Sequence, residues 1–228
     1  MMKPLHITMT RKEQLWGLLY LFLSVLLLPL LIPYCVDLLL PGSSAAATNF
    51  IYFLVNFLSA VGIFHRFLIK TVEHLRASWK KVVLFAAIGL GAYFAMSTLL
   101  ASVYLRFFPE FSNVNDENIL LLAKENFALM AIGSVLLVPV AEECLYRGVV
   151  FGAVFQKSPM IGYVLSTLVF SLIHVLRYIG AVDMQTLLLC IVQYLPAGLC
   201  LSWAYQKADN LFAPILIHAV INALGIFL

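Results

Sequence analysis

The side chains able to do chemistry fall late in the chain: Glu142, Glu143 and Arg147 in one apolar run, His174 in a second, His218 and Asn222 in a third. Peptide hydrolysis needs a base for water, a donor to the leaving amine and preorganised donors for the oxyanion. A carboxylate, an imidazole and a His–Asn pair supply all of these. Placing them in apolar helix is costly, since a centrally placed Asp, Lys or Arg costs about 2.5 to 3.5 kcal/mol on insertion scales. Glu143 and Arg147 are i,i+4 in the acid-first order and form a plausible neutralising pair. Glu142 points about 100° round the helix, with no local partner. The competing reading is a buried ion pair that fixes helix packing, or charges at a helix end near the headgroups. For His174 alone it is a hydrogen-bonded packing residue.

Glu142, His174 and His218 are also the His-His-Glu donor set that holds a catalytic zinc with one position open to water. Metal-binding histidines usually lean on a second carboxylate or carbonyl, and the one polar group placed a turn from His218 is Asn222, which suits oxyanion donation better. A glutamate-driven attack of water without metal is therefore expected, with zinc or another divalent metal as the alternative. No Ser-His-Asp set, nucleophilic Cys beside a His or His-Glu-x-x-His helix is present, so serine, cysteine and zincin mechanisms lack support.

The elements that must position these groups follow from composition. With 63% hydrophobic and 11% charged residues among 228 and a mean hydropathy of +1.01, the chain reads as an all-α polytopic transmembrane helical bundle. About seven apolar runs approach the roughly 20 residues a spanning helix needs: 15–40, 49–68, 82–105, 126–156, 160–179, 184–205 and 210–228. Short connections leave no room for a soluble domain. Residues 1–125 would supply three helices and an external loop, and 126–228 the catalytic helices of one continuous bundle.

Depth can be counted. With the turn between the fourth and fifth helices at Ser158-Pro159, Glu142 and His174 lie roughly 24 and 22 Å from it, level across an antiparallel hairpin. Counted from Asp209, His218 and Asn222 lie roughly 14 and 20 Å up the last helix, so Asn222 matches Glu142 better. Levelling His218 requires a tilt or a deeper turn.

Other features read as structure. Pro29 and Pro33 predict a kink or early end in the first helix. The stretch 70–81 reads as a basic connection with Trp79, suited to anionic lipid. Gly89, Gly91, Gly148 and Gly152 permit close helix approach. Ile119 to Leu122 suggest a short interfacial helix. Gln193, Pro196 and Gly198 bend the sixth span. Cys35, Cys144, Cys190 and Cys200 read as small core residues.

Lys3, Arg11, Lys12, Arg66, Lys70, Arg76, Lys80, Lys81, Arg147, Lys157 and Lys207 fall on one side, against Arg106, Lys124 and Arg177 on the other. The N-terminus is therefore expected in the cytoplasm and the C-terminus outside. The basic loops need no nucleic-acid partner.

Glu142-Glu143-x-x-x-Arg147, Phe170-x-x-x-His174 and His218-x-x-x-Asn222, in order on three membrane helices, resemble the signature of the CAAX-processing endoprotease and bacteriocin-processing family, the type II prenyl endopeptidases and their bacterial relatives. The resemblance covers roughly 126–228. It implies a bacterial plasma-membrane endopeptidase acting on a peptide or lipidated protein. Glu142 would activate water with His174, His218 and Asn222 would hold the oxyanion, and Glu143 and Arg147 would support the site. Tyr146 stands where Phe is frequent. The alternatives are a non-catalytic membrane protein, such as a bacteriocin-immunity factor or a sensor or transporter partner, and a proton-coupled transporter, for which no internal repeat is visible.

Overall fold

The structure is a computed structural model that describes residues 4–227. Eight helices account for most of the described residues: α1 (Arg11–Leu39), α2 (Ala45–Ile63), α3 (His65–Phe107), α4 (Val114–Glu125), α5 (Phe127–Phe155), α6 (Pro159–Leu176), α7 (Met184–Ala208) and α8 (Phe212–Phe227). Six are long and apolar enough to cross a membrane. The apolar α8 has 16 residues, so an all-α bundle of about seven spans stands.

The stretch 70–81 is not a connection. It is helical, and α3 runs unbroken for 43 residues. No Gly or Pro interrupts residues 65–88, and Phe67, Thr71, Ser78, Val82, Ala86 and Gly89 bury one continuous stripe while the Lys and Arg side chains lie around it. The hydroxyls of Thr71 and Ser78 bond back to the carbonyls of Phe67 and His74. Composition signalled polarity here, and helical periodicity decided the backbone.

Nor does α1 end at its prolines. A π-helical turn at Leu23–Leu27 precedes Pro29, and the helix continues through Pro33 to Leu39. The wider turn accommodates a ring that cannot donate to the ladder and would crowd the carbonyl four residues back. The same device recurs in α5, where a π turn at Gly133–Leu137 precedes Pro139, and a longer one follows at Cys144–Phe151.

At the start of α1, Thr10 and Glu13 form a capping box. Glu13 Oε1 also accepts the Phe67 amide at 2.8 Å, which ties α1 to the start of α3. α7 packs chiefly against α6 and α3. The approach to α6 is close enough that a Cβ on Gly198 would lie 2.9 Å from Thr167, and one on Gly89 would lie 2.7 Å from Ile217 of α8. Cys144, Cys190 and Cys200 are buried as expected, whereas Cys35 is exposed. It lies on the outer α1, many of whose large apolar side chains face away from the bundle.

The turn into α8 sits deep. Asp209 takes a left-handed conformation (φ 52°), and Asn210 is wholly buried, donating to the Thr71 carbonyl at 3.0 Å and accepting from Phe212 N at 2.9 Å. An N-terminal strap closes this end: His6 bonds the Asp209 carboxylate through its amide and Nδ1, and Gln156 donates to the Leu5 carbonyl.

Candidate functional site

α5, α6 and α8 bring Glu142, His174 and His218 together. Glu142 Oε2 lies 3.9 Å from Nε2 of His174 and 3.9 Å from Nε2 of His218. Each imidazole has its other nitrogen committed. His174 Nδ1 donates to the Phe170 carbonyl at 2.7 Å, and His218 Nδ1 donates to Glu143 Oε1 at 2.8 Å. A carbonyl and a carboxylate can only accept here, so both Nδ1 atoms carry hydrogen and both Nε2 atoms face Glu142. Glu142 Oε2 has no hydrogen-bond partner among the described residues. Gaps of 3.9 Å are too long for direct bonds and suit one bridging water.

The count places Glu142 level with His174, as found, and misplaces the last helix. His218, not Asn222, is level with Glu142; Asn222 lies a turn further along and donates to the Ser134 carbonyl at 2.8 Å. Two causes add. The turn before α8 is buried, and the π-helical stretch Cys144–Phe151 advances less per residue than an α-helix, so Glu142 lies nearer its own turn than a straight count gives.

Behind these three side chains lies a buried ionic core. Glu143 and Arg147 are wholly buried, and Arg147 donates to Glu143 Oε1 at 3.0 Å, as their spacing predicts. Arg147 also donates to the Gly198 carbonyl at 3.2 Å and lies 4.7 Å from the centre of the Phe170 ring. Glu143 Oε1 thus accepts from both Arg147 and His218, so a single oxygen fixes the imidazole and neutralises the guanidinium. The sequence reading found Asn222 as the only polar group near His218. The carboxylate that positions it comes from another helix.

Two residues at the site were missed. Tyr194 of α7 stacks on His174 with ring centres 4.5 Å apart and donates its hydroxyl to Asp116 Oδ1 of α4 at 2.7 Å. The Phe170 ring centre lies 4.5 Å from that of the imidazole and 6.3 Å from that of Tyr194, so the three rings meet at a corner. Desolvation pushes the Asp116 carboxyl above its ordinary value, and the Tyr194 hydroxyl and nearby His174 pull it part of the way back. A tyrosine in mid-span must find a polar partner, and that requirement was the available signal.

A cavity of about 540 Å³ exposes Glu142, His174, His218 and Asn222, and a second of about 890 Å³ reaches Glu142 from the α1 side. No three described His, Cys, Asp or Glu side chains are gathered to hold a metal ion as they stand. Ligands of one tetrahedral zinc at ~2.05 Å lie about 3.4 Å apart, so each 3.9 Å gap would have to close by roughly 0.5 Å. The groups that metal-binding histidines lean on through their other nitrogen, a carbonyl for His174 and a carboxylate for His218, are both in place. Chemically the set fits zinc as well as a bridging water.

Residues 124–224 match the family model described as type II CAAX prenyl endopeptidase Rce1-like. Two curated proteins are similar over part of the chain. "UPF0177 protein YxdF" of Lactococcus lactis subsp. lactis (strain IL1403) is 24% identical over 40% of this chain and 44% of its own length. "Putative membrane peptidase YdiL" of Bacillus subtilis (strain 168) is 27% identical over 41% of this chain and 34% of its own. The chain thus spans less than half the length of the curated relatives it matches. No solved structure matches.

Proposed function

We propose, from the match of residues 124–224 to the Rce1-like type II CAAX prenyl endopeptidase model, that the protein hydrolyses a peptide bond within the membrane by water activated on Glu142. One observation carries this reading: the Glu142 carboxylate faces two imidazole Nε2 atoms at equal distance, and each imidazole is locked through Nδ1.

The roles follow from the hydrogens. With both carboxylates ionised and Arg147 charged, the cluster carries one net negative charge, which a single proton on an imidazole balances. His218, with its Nδ1–H on a carboxylate, is the better carrier, because that oxygen stabilises an imidazolium. Protonated His218 then offers Nε2–H to the oxyanion, whereas His174, tied to a neutral carbonyl, offers a bare Nε2. Water between Glu142 and His174 gives a proton to Glu142 as its oxygen attacks the scissile carbonyl, and the carbonyl oxygen becomes an anion facing His218. Glu142 returns the proton to the leaving nitrogen as the C–N bond breaks, leaving a carboxylic acid and an amine. Asn222, one turn beyond, adds an amide donor if it exchanges Ser134 for the oxyanion. Glu143 and Arg147 touch no reacting atom and position His218.

Zinc held by Glu142, His174 and His218 is the second mechanism, favoured by the partners on both Nδ1 atoms. A bound metal would supply a water ionised near neutral pH. The substrate class in this reading is a membrane-associated peptide, the tail of a lipidated protein or a bacteriocin or pheromone precursor. The setting is a bacterial plasma membrane with a cytoplasmic N-terminus.

The test is cleavage of membrane-proximal peptides by purified wild type and Glu142→Gln, with metal content measured on the same samples. Loss of turnover in a folded variant supports the reading, and full activity in Glu142→Gln overturns it. One tightly held zinc per chain, with activity lost on its removal and restored on its return, replaces the metal-free mechanism and leaves the reaction class standing.

A further inference from the structure

The two cavities that reach Glu142 share a wall at Asn49, Tyr52, Glu142 and Arg177. Their outer linings come from one end of the bundle. The larger takes Asp37, Ser43, Thr48 and Asn118, and the smaller takes Asn115, Asp116, Gln193 and Gly225. These residues belong to the end of α1, the turn into α2 and its start, the helix α4, the first half of α7 and the end of α8. No residue from 57–92, 147–169 or 202–217 lines either cavity, so the opposite end, with the α2–α3, α5–α6 and α7–α8 turns, is closed to the site.

The same two ends differ in charge. At the closed end the described residues include Arg11, Lys12, Arg66, Lys70, Arg76, Lys80, Lys81, Lys157 and Lys207, against Glu13, Glu73 and Asp209. At the open end Arg106, Lys124 and Arg177 stand against Asp37, Glu110, Asp116, Glu117, Glu125 and Asp183. Lys and Arg in segments flanking the spans are retained on the cytoplasmic side. α3 carries five of the basic residues within its first turns and, at 1.5 Å per residue, is roughly 65 Å long, about twice the hydrocarbon thickness. Its basic portion therefore lies outside the hydrocarbon, where anionic inner-leaflet lipid holds it.

Cavity position and charge are independent observations, and they combine to one conclusion. We propose that the site receives peptide segments from the extracytoplasmic face of the membrane, through the cavities beside α4, and that chains on the cytoplasmic face do not reach Glu142. This deepens the endopeptidase reading and rests on it for the reaction, though not for the direction of access. The substrate is then an exported peptide or the external juxtamembrane segment of a membrane protein. The acidic rim favours segments that carry Lys or Arg over acidic ones.

Access can be read without turnover. In a Cys35→Ser background, whose other cysteines are buried, Asn49→Cys and Glu142→Cys each place a thiol on the shared cavity wall, and Lys157→Cys marks the closed end. A charged, membrane-impermeant thiol reagent is applied to intact cells and to inverted vesicles. The expected result is labelling of both cavity thiols in intact cells and its loss in sealed inverted vesicles, with the reverse for Lys157→Cys. Cavity thiols labelled only from the cytoplasmic face, or from neither face, overturn the proposal. Using two cavity positions keeps the test intact if one variant fails to fold. In oriented proteoliposomes, cleavage only of peptide on the cytoplasmic face also overturns it. Outward labelling with no cleavage from either face leaves access standing and sinks the endopeptidase reading instead.

Discussion

His174 and His218 present the same atom to Glu142 at the same 3.9 Å and both touch the Phe170 ring, yet the groups that hold their Nδ1 atoms differ in kind. The His218 arm is dry and ionic: its imidazole, 4% exposed, rests on a wholly buried carboxylate that also neutralises a wholly buried arginine. The His174 arm is half-open: its imidazole, 16% exposed, hangs on the main-chain carbonyl of Phe170 and packs in the corner formed by the Phe170 and Tyr194 rings. A carbonyl of the same helix turn comes with the backbone and cannot be mutated away. A carboxylate from another helix exists only while α5 and α8 are docked. The His218 arm therefore couples site geometry to the fold, and the His174 arm is where the site can adapt to substrate.

The largest expected effect breaks the ionic arm. Glu143→Ala strands the Arg147 guanidinium and the His218 Nδ1–H in a dry core, and removing one partner of such a buried pair costs about 3 to 5 kcal/mol. Loss of folded protein, seen as aggregation on detergent extraction, is the expected result. Glu143→Gln keeps an acceptor oxygen and should fold better than Glu143→Ala while remaining poorly active. A Glu143→Ala variant with wild-type thermal stability would show that the arms do not differ in this way.

Next comes Glu142, which belongs to neither arm. Its Oε2 has no hydrogen bond to lose and its side chain is 26% exposed, so Glu142→Gln should leave the melting temperature unchanged or slightly raised. The rate should fall by about 10²- to 10⁴-fold, the usual contribution of a positioned general base. A matching drop in stability would make Glu142 a packing residue instead.

How much of this was legible follows the same division. The Glu143–Arg147 pair and the levelling of Glu142 with His174 came directly from helical periodicity and rise, because each is set within a helix or across one short turn. The depth of His218 did not, because π turns and a buried inter-helix turn change the rise and leave no mark in hydropathy. The bond from His218 to Glu143 was hidden because helix rotation decides it. The seven apolar runs were visible from composition. The helical state of 70–81 was not, because basic residues inside a continuous helix resemble a loop when only hydropathy is counted. Asp116 and Tyr194 lie 78 residues apart, and no local pattern joins them.

A smaller effect should separate the two supports of His174. Tyr194→Phe keeps the ring on the imidazole and removes the hydroxyl that donates to Asp116 and accepts from the Asn115 amide, at a cost of about 1 kcal/mol per bond. Tyr194→Ala removes both. The expected outcome is near-normal turnover for Tyr194→Phe and a clear loss for Tyr194→Ala, measured as kcat at saturating peptide. Equal losses in the two variants would place the importance of Tyr194 in its contact with α4 and not in the stack.

The smallest expected effect is a pH dependence confined to the His174 arm. Asp116 lies on α4, outside the spanning helices, and its carboxyl is raised above the ordinary 3.8 by desolvation. For a raised acid the folded state binds the proton more tightly than the unfolded state. Below 3.8 both states are protonated and nothing is lost; as pH rises from there through the raised folded value, ionisation increasingly disfavours folding, and the full penalty stays in force at neutral pH. Asp116→Asn cannot ionise yet keeps an oxygen for the Tyr194 hydroxyl. Lowering the pH from neutral to about 4 should therefore raise the melting temperature of wild type relative to Asp116→Asn. A difference that does not change with pH, or one that moves the other way, would show that Asp116 stays ionised against α7 and that α4 is held there by charge.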